Sequence, residues 1–353
     1  MSPPRCPDHQ PDARVTDQSV TEISSPRQGV NEGVAMRAAL VEELGQAPRV
    51  TERTTPQRTG GAALVRVTAA SINPVDLHVS TGGHPAGTPS VPYVPGVEGV
   101  GTVVESDTLP VGARVRVAVP GGFVDGTLAE YVTAPDAACV PLPDDLGDDL
   151  AAAIGIVGVS ALIALREEAA LRPGDSVLVL GATGGLGQAL VHLARALGAG
   201  RVIAAGRNPQ RLEALFGDAD DVLTLDADPS GFAAELAEAG GPVDVVADVL
   251  WGPYASGALA SLRADGRYVN LGQTAGGNAD INAALLRHGH LKVAGFSAAA
   301  LPPARVNAAY QEVAGFAAKG LLTPAVSCYP LAEVPAAWAA LAASPGSKIV
   351  LRP

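Results

Sequence analysis

The stretch Ser176 to Ala205, SVLVLGATGGLGQALVHLARALGAGRVIAA, decides the fold. Val177 to Leu180 is an apolar run of buried-strand length, and it stops at a turn in which four of seven residues are glycine. A helix through Gln188 to Leu197 follows, closed by Gly198 and Gly200 as expected of C-terminal glycines, and Arg201 to Ala205 is a second apolar run. Strand, turn, helix and strand make one crossover unit, which lays two parallel strands side by side. The turn itself, Gly181-Ala182-Thr183-Gly184-Gly185-Leu186-Gly187, reads AxGxxG. Ala182 stands at the usual first glycine, Gly184 lets backbone approach a pyrophosphate, and Gly187 lets helix pack on strand. Backbone N–H groups at the start of the helix then face the negative charge.

The end of the second strand speaks to which dinucleotide. NAD enzymes usually place a carboxylate there to bind the ribose 2'-hydroxyl. This chain has Ala204-Ala205-Gly206-Arg207-Asn208-Pro209-Gln210-Arg211, with no acid. Arg207 can pair with a 2'-phosphate through its planar fork, and Arg211 can assist from the next turn, which favours NADPH; the alternative is that both arginines are solvated surface residues.

Outward from this unit, residues 151–298 alternate strands and Ala/Leu-rich helices. Further strands are expected at Asp221–Leu225, Val243–Val249, Arg267–Leu271 and Leu291–Gly295, giving a Rossmann-type doubly wound parallel sheet in an α/β chain. Residues 37–150 instead carry short β-branched runs broken by Gly and Pro, at Ala62–Ala69, Gly99–Val104, Arg114–Val119 and Leu128–Thr133, the pattern of a β-rich barrel. After about 299, helices at 303–319 and 333–343 precede a last strand, Lys348–Leu351, expected to return to the first domain. The expected division is therefore 36–150 with 299–353 as a substrate domain and 151–298 as the dinucleotide domain. Residues 1–35 are polar and rich in Pro, Ser, Gln, Asp and Arg, and read as a disordered extension before a first strand at Met36–Val41.

Composition limits the function classes. With 353 residues, 47% hydrophobic and 17% charged, the chain has ample core material for two domains. A formal net charge of −12 argues against a surface that tracks nucleic-acid phosphates. Cys6, Cys139 and Cys328 are far apart and offer no CxxC pair for a cysteine-based zinc site. The longest uncharged run, Leu150 to Leu165, is shorter than the roughly 20 residues of a membrane-spanning helix and reads as a buried helix. No secretory pattern opens the sequence, so the cytoplasm is the expected compartment and no membrane partner is expected.

Several further stretches, Ser71-Ile72-Asn73-Pro74-Val75-Asp76, Val94-Pro95-Gly96-Val97-Glu98-Gly99-Val100-Gly101, Gly126 to Val132, Gly266-Arg267-Tyr268-Val269-Asn270-Leu271-Gly272 and Lys348-Ile349-Val350-Leu351, stand in this order around the glycine turn. Together they resemble the zinc-independent quinone oxidoreductase branch of the medium-chain dehydrogenase/reductase superfamily, over nearly everything after Met36. The resemblance implies a GroES-like barrel beside the Rossmann-type sheet, and a homodimer. Zinc-dependent relatives take catalytic ligands from a Cys in the first motif and a His in the second; here Asn73 stands near the first and Val97 at the second, so metal-activated alcohol oxidation is not expected.

Without a Lewis acid, the natural chemistry is hydride transfer from NADPH to a small molecule that is already polarised, a quinone or an enone, enal or enoyl thioester. Asn73 resembles the family's Asn near the nicotinamide, either holding the ring or donating to a substrate oxygen, or else only steadying the turn before Pro74. His78 and His84 lie where members of the branch often carry cleft tyrosines; they are candidate proton donors or water-facing loop histidines. Leu250 and Trp251, and the turn from Gly272 through Gln273 to Thr274, follow strands at the carboxyl edge and are expected near the nicotinamide. Ser160 is a further candidate on the interdomain helix. Two other readings stay open: a biosynthetic tailoring enzyme that uses the same pocket, and a non-catalytic NADPH-binding sensor or structural protein.

Overall fold

The computed structural model of the chain describes residues 33–83, 87–119, 124–226 and 228–353. β1 (Ala35–Leu40) and β2 (Arg49–Thr54) pair as an antiparallel ribbon. β1 begins one residue before the expected Met36, and Val34 is already tied down, its carbonyl accepting from the backbone N–H and Oγ1 of Thr55. β3 (Ala62–Ile72) is followed by α1 (Pro74–Ser80), then β4 (Glu98–Glu105), β5 (Arg114–Ala118), β6 (Tyr131–Pro135) and β7 (Cys139–Pro141). β3 pairs antiparallel with both β4 and β6, and β4 with β5. Its side chains divide between two cores: Val65, Val67, Ala70 and Ile72 enter the barrel interior, whereas Ala69 joins the core beneath the helices. The strand expected at Leu128–Thr133 is displaced to Tyr131–Pro135, because Leu128 and Ala129 serve β1 instead: Leu128 accepts from Ala39 N–H and Ala129 bridges to Ala38.

The apolar run after Leu150 is broken where one helix was expected. α2 (Asp148–Ala153) ends at Ile154 and α3 (Gly155–Ile163) starts afresh, continuing through a wider turn at Ala164–Glu168. The cause is Glu98, whose Oε2 would lie 1.8 Å from a Cβ at residue 155 and which accepts the Ile156 N–H at 2.8 Å. Only glycine admits the carboxylate there.

β8 (Ser176–Leu180), α4 (Gly185–Ala196), β9 (Arg201–Gly206), α5 (Pro209–Glu213), β10 (Asp221–Thr224), α6 (Phe232–Glu238), β11 (Val243–Asp248), α7 (Ala255–Ala260), β12 (Leu262–Asn270), α8 (Ala283–Gly289) and β13 (Lys292–Gly295) build a six-stranded parallel sheet. The order β10-β9-β8-β11-β12-β13 reverses between β8 and β11, which opens a crevice at the carboxyl ends of those two strands. Alternate residues explain why the strands read as continuous apolar runs. Val177, Val179, Val202 and Ala204 pack with Ala189, Leu190 and Leu193 of α4 on one face; Leu178, Leu180, Ile203 and Ala205 pack with Phe232, Leu236 and Leu259 on the other. His288 lies within α8, and His290 is its left-handed cap.

α9 (Pro303–Ala318), β14 (Val326–Pro330), α10 (Val334–Ala342) and β15 (Lys348–Arg352) complete the chain. β15 pairs antiparallel with the end of β3, Ile349 opposite Ile72 and Val350 opposite Ser71, and parallel with β14. β2, β7 and β14 escaped the sequence reading because they are short and charged or proline-bearing. Among the described residues no helix is long and apolar enough to cross a membrane.

Candidate active site

The glycine turn is a backbone cradle. Gly181 has φ +79°, and a Cβ there would lie 2.4 Å from Val249 Cγ2. At Gly187 a Cβ would meet Gly181 O at 2.1 Å and Ala182 Cα at 2.6 Å, so the first turn of α4 rests directly on the loop. At Gly184, by contrast, a Cβ would find only Gly181 O at 3.6 Å. That side is open, beside the N-terminus of α4. Ala182 is buried, and its N–H and that of Gly181 both donate to Ala205 O at 2.9 Å, anchoring the turn to β9. Thr183 accepts Gln188 Nε2 at 3.1 Å, Leu186 is packed against the core, and Gly185 has the stem of Lys348 against it.

Arg207, at the end of β9, is exposed. Arg211 is not equivalent to it: its Nη1 donates to Ser344 O at 2.9 Å, while its backbone N–H is capped by Asn208 Oδ1. Across the switch point, Asp248 ends β11 fully buried and accepts from Leu250 N at 2.7 Å, Trp251 N at 2.9 Å and Tyr268 Oη at 2.5 Å. Burial holds the Asp248 carboxyl above its ordinary range. These bonds keep Trp251 at φ +55°, with its ring edge-on to Tyr268 at 5.8 Å. Gly272 lies so close to Val249 that a Cβ would be 2.7 Å from its carbonyl oxygen, and Thr274 donates to that oxygen at 3.1 Å; Gln273 beside it is exposed. The loop after β11 and the turn after β12 are therefore locked together. Sequence reasoning missed Asp248 and Tyr268, although an acid closing an apolar strand was a visible signal.

On the barrel side, Asn73 caps α1, with Pro74 in the first helical position, where a missing N–H does no harm. Asp76 reaches back to accept Asn73 N–H at 2.8 Å and also accepts Gly96 N–H at 3.2 Å. The Asn73 amide is buried and engaged at both ends: Lys348 Nζ donates to Oδ1 at 2.5 Å, and Nδ2 donates to Glu98 Oε1 at 3.2 Å and Ser71 Oγ at 3.4 Å. Glu98 also takes Ser71 Oγ at 2.9 Å and a buried ion pair with Arg116 at 3.1 Å. Arg116 stacks over Tyr310 at 4.9 Å, and its Nε and Nη1 have no partner among the described residues. Burial, with Glu98 adding repulsion, pushes the Asp76 carboxyl up to about 7, and burial lowers the Lys348 ammonium. Asp76, Glu98, Arg116 and Lys348 were not singled out as site residues from sequence, since each is an ordinary strand or helix residue until the chain folds.

His78 is exposed at the last turn of α1, and Ser160 is buried on α3, which packs against α4. His84 lies outside the described residues. A zinc ion does not suit this cluster: Val97 presents a hydrocarbon, and the ammonium of Lys348 sits on the Asn73 oxygen, where a second cation would be repelled. No group of three His, Cys, Asp or Glu among the described residues is arranged to hold a metal.

A nucleotide cradle at the switch point of a six-stranded sheet, facing a GroES-like barrel, places the chain among the dinucleotide-binding oxidoreductase folds. Comparison with known proteins narrows this. Residues 59–144 match the family described as alcohol dehydrogenase GroES-like domain, and residues 185–317 the family described as zinc-binding dehydrogenase. The quinone oxidoreductase of Rattus norvegicus is 31% identical over 67% of this chain and 73% of its own length. A phenolphthiocerol/phthiocerol polyketide synthase subunit of Mycobacterium tuberculosis is 34% identical over 68% of this chain, which spans only 11% of that much longer protein. Among solved structures, a mycobacterial quinone oxidoreductase superposes with a TM-score of 0.79 at 28% identity, over 90% of this chain and 100% of that one. A mycobacterial protein complexed with NADPH superposes with 0.78 at 28% identity, over the same shares. The chain belongs to the medium-chain dehydrogenase/reductase superfamily, in its quinone oxidoreductase-like branch.

Proposed function

We propose that the protein is an NADPH-dependent, zinc-independent reductase that delivers a hydride to a quinone or an α,β-unsaturated carbonyl. The observation that carries this reading is the pairing of an open glycine cradle with an exposed Arg207 and no carboxylate at the end of β9. In this reading Ala182 to Gly187 hold the pyrophosphate and Arg207 pairs with the 2'-phosphate. Leu250, Trp251 and the Gly272–Gln273 turn wall the nicotinamide side, with Ser160 behind it. When bound, NADPH supplies the hydride, and the protein supplies orientation and exclusion of water. Asn73 steadies the nicotinamide or a substrate oxygen from its fixed position. His78 and His84 are the candidate proton donors, since imidazole exchanges protons near neutral pH. The two-domain division at 36–150 with 299–353 against 151–298, a cytoplasmic location and a homodimer belong to the same proposal.

The polyketide synthase relative favours a second form of the reading, in which the acceptor is an enoyl thioester of a biosynthetic pathway. Single-turnover oxidation of bound NADPH against benzoquinones, naphthoquinones, enals, enones and enoyl thioesters, with NADH in parallel, tests both. Fast oxidation by one acceptor class fixes the substrate chemistry. Tight binding with no oxidation by any of them would overturn the reductase in favour of a sensor or structural protein.

A further inference from the structure

The segment leading into β15 touches the nucleotide side of the molecule at three points. Arg211 donates to Ser344 O at 2.9 Å, Gln188 of α4 donates to Gly346 O at 2.6 Å, and the Lys348 stem lies on Gly185, where a Cβ would come within 2.8 Å of Cδ. From there the Lys348 ammonium crosses to the barrel and meets Asn73 Oδ1 at 2.5 Å. An ammonium can only donate, so the amide end that faces it must be the oxygen. That contact fixes the amide's orientation and sends Nδ2 toward Glu98 and Ser71. The side chain of Lys348 is thus a strut between the first turn of α4 and the cap of α1, and its charge is balanced by the nearby carboxylates of Glu98 and Asp76.

We propose that Lys348 is the positioning residue for the nicotinamide half of the site: it sets both the orientation of the Asn73 amide and its distance from the glycine turn. Its kinetic consequence rests on the reductase reading above, but its structural consequence does not. Without the ammonium, Asn73 Oδ1 is left unpaired in a buried place, and only the longer contacts of Nδ2 with Glu98 at 3.2 Å and Ser71 at 3.4 Å still hold the amide. The adenine half is held by the cradle and Arg207, and the Lys348 stem that packs on Gly185 of the cradle is retained in a methionine or glutamine variant.

A mutant cycle of Lys348→Met, Asn73→Ala and the double variant tests this, with Lys348→Gln as a second, more polar replacement should the methionine variant fail to fold. Three readouts are taken: single-turnover hydride transfer, the fluorescence enhancement of the nicotinamide when NADPH binds, and the affinity for 2'-phospho-ADP-ribose, the ADP-ribose part of NADPH without the nicotinamide. Hydride transfer is expected to fall by about tenfold or more in each single variant, as small misplacements of reacting groups do. The fluorescence enhancement is expected to fall with it, while 2'-phospho-ADP-ribose affinity holds within about threefold, a small free-energy change. The double variant is expected to be no worse than either single one, because a residue acting through another shows non-additive losses. Additive losses, a parallel fall in 2'-phospho-ADP-ribose affinity, or Lys348 variants with unchanged transfer and fluorescence would each overturn the proposal. If the wild type oxidises no acceptor, the reductase reading fails, and the fluorescence cycle alone decides the role of Lys348.

Discussion

The glycine turn at 181–187 and the charged cluster beneath it meet at Gly185, yet they are built on opposite principles. The turn is seven consecutive residues whose geometry is set by backbone: one left-handed glycine, one glycine pressed onto a carbonyl, and one with open space beside it. The cluster gathers Asn73, Asp76, Glu98, Arg116 and Lys348 from four stretches, the extreme pair 275 residues apart in sequence. The first has almost no side chain to lose. In the second the side chains are buried and, apart from Asp76, which accepts from backbone N–H groups, they hydrogen-bond one another. The two regions should therefore fail differently, the cluster through loss of fold and the turn through loss of ligand.

The largest effect is expected at Glu98. It accepts from Ser71, Asn73, Arg116 and the Ile156 backbone, and Gly155 is kept bare to admit it. Glu98→Ala leaves the guanidinium of Arg116 buried without its counter-charge, a change that destabilises by about 3–5 kcal/mol. Chemical denaturation should show this as a lower midpoint, and removing Arg116 as well should recover part of the loss. If Glu98→Ala were as stable as the wild type, the cluster would be ornamental and the contrast with the turn would disappear.

Within the turn itself, two glycines that look alike in sequence should separate. Gly187→Ala drives a methyl into Gly181 O and Ala182 Cα, which are backbone and cannot swing aside, so both stability and dinucleotide affinity should fall, the former by about 1–3 kcal/mol. Gly184→Ala meets only one atom at 3.6 Å, so melting should stay near the wild type while affinity drops as the methyl crowds the pyrophosphate. Calorimetric melting beside a titration with NADPH distinguishes them. Equal melting losses would mean that Gly184 is a packing residue like Gly187, and the cradle would have to be sought elsewhere.

This difference also explains what could be read in advance. The parallel sheet, its strand-turn-helix unit and the family resemblance rest on periodicity and on glycine, both local; β8 and β9 fall within a residue of where they were expected, while α4 begins three residues earlier, at Gly185, and β12 five residues earlier, at Leu262. Asn73 was legible as a motif residue, but its partners were not: nothing in Lys348-Ile349-Val350-Leu351 signals that the lysine points inward, because a strand's inward face is settled only by its neighbour, here the end of β3. The division of Leu150 to Leu165 into two helices was hidden for the same reason, since the cause lies on β4. Asp248 is an intermediate case, locally conspicuous but intelligible only once Tyr268 is beside it on the next strand.

The smallest expected effect probes the one point where the turn and the C-terminal segment compete. Arg207 was the expected partner of a 2'-phosphate and Arg211 its assistant from the next turn; Arg211 donates to Ser344 O and is packed over Gly346, whereas Arg207 is exposed. A charged hydrogen bond contributes about 1.5–3 kcal/mol, so Arg207→Ala should lower the preference for NADPH over NADH by about tenfold or more, with NADH affinity itself little changed. Arg211→Ala should move that preference less, because its guanidinium must leave a carbonyl before it can take a phosphate. Paired titrations of the two variants with both dinucleotides decide the matter. If Arg211→Ala proves the more damaging, the Ser344 contact must open on binding, and the C-terminal segment would then respond to the adenine end of the cofactor as well as to the nicotinamide end.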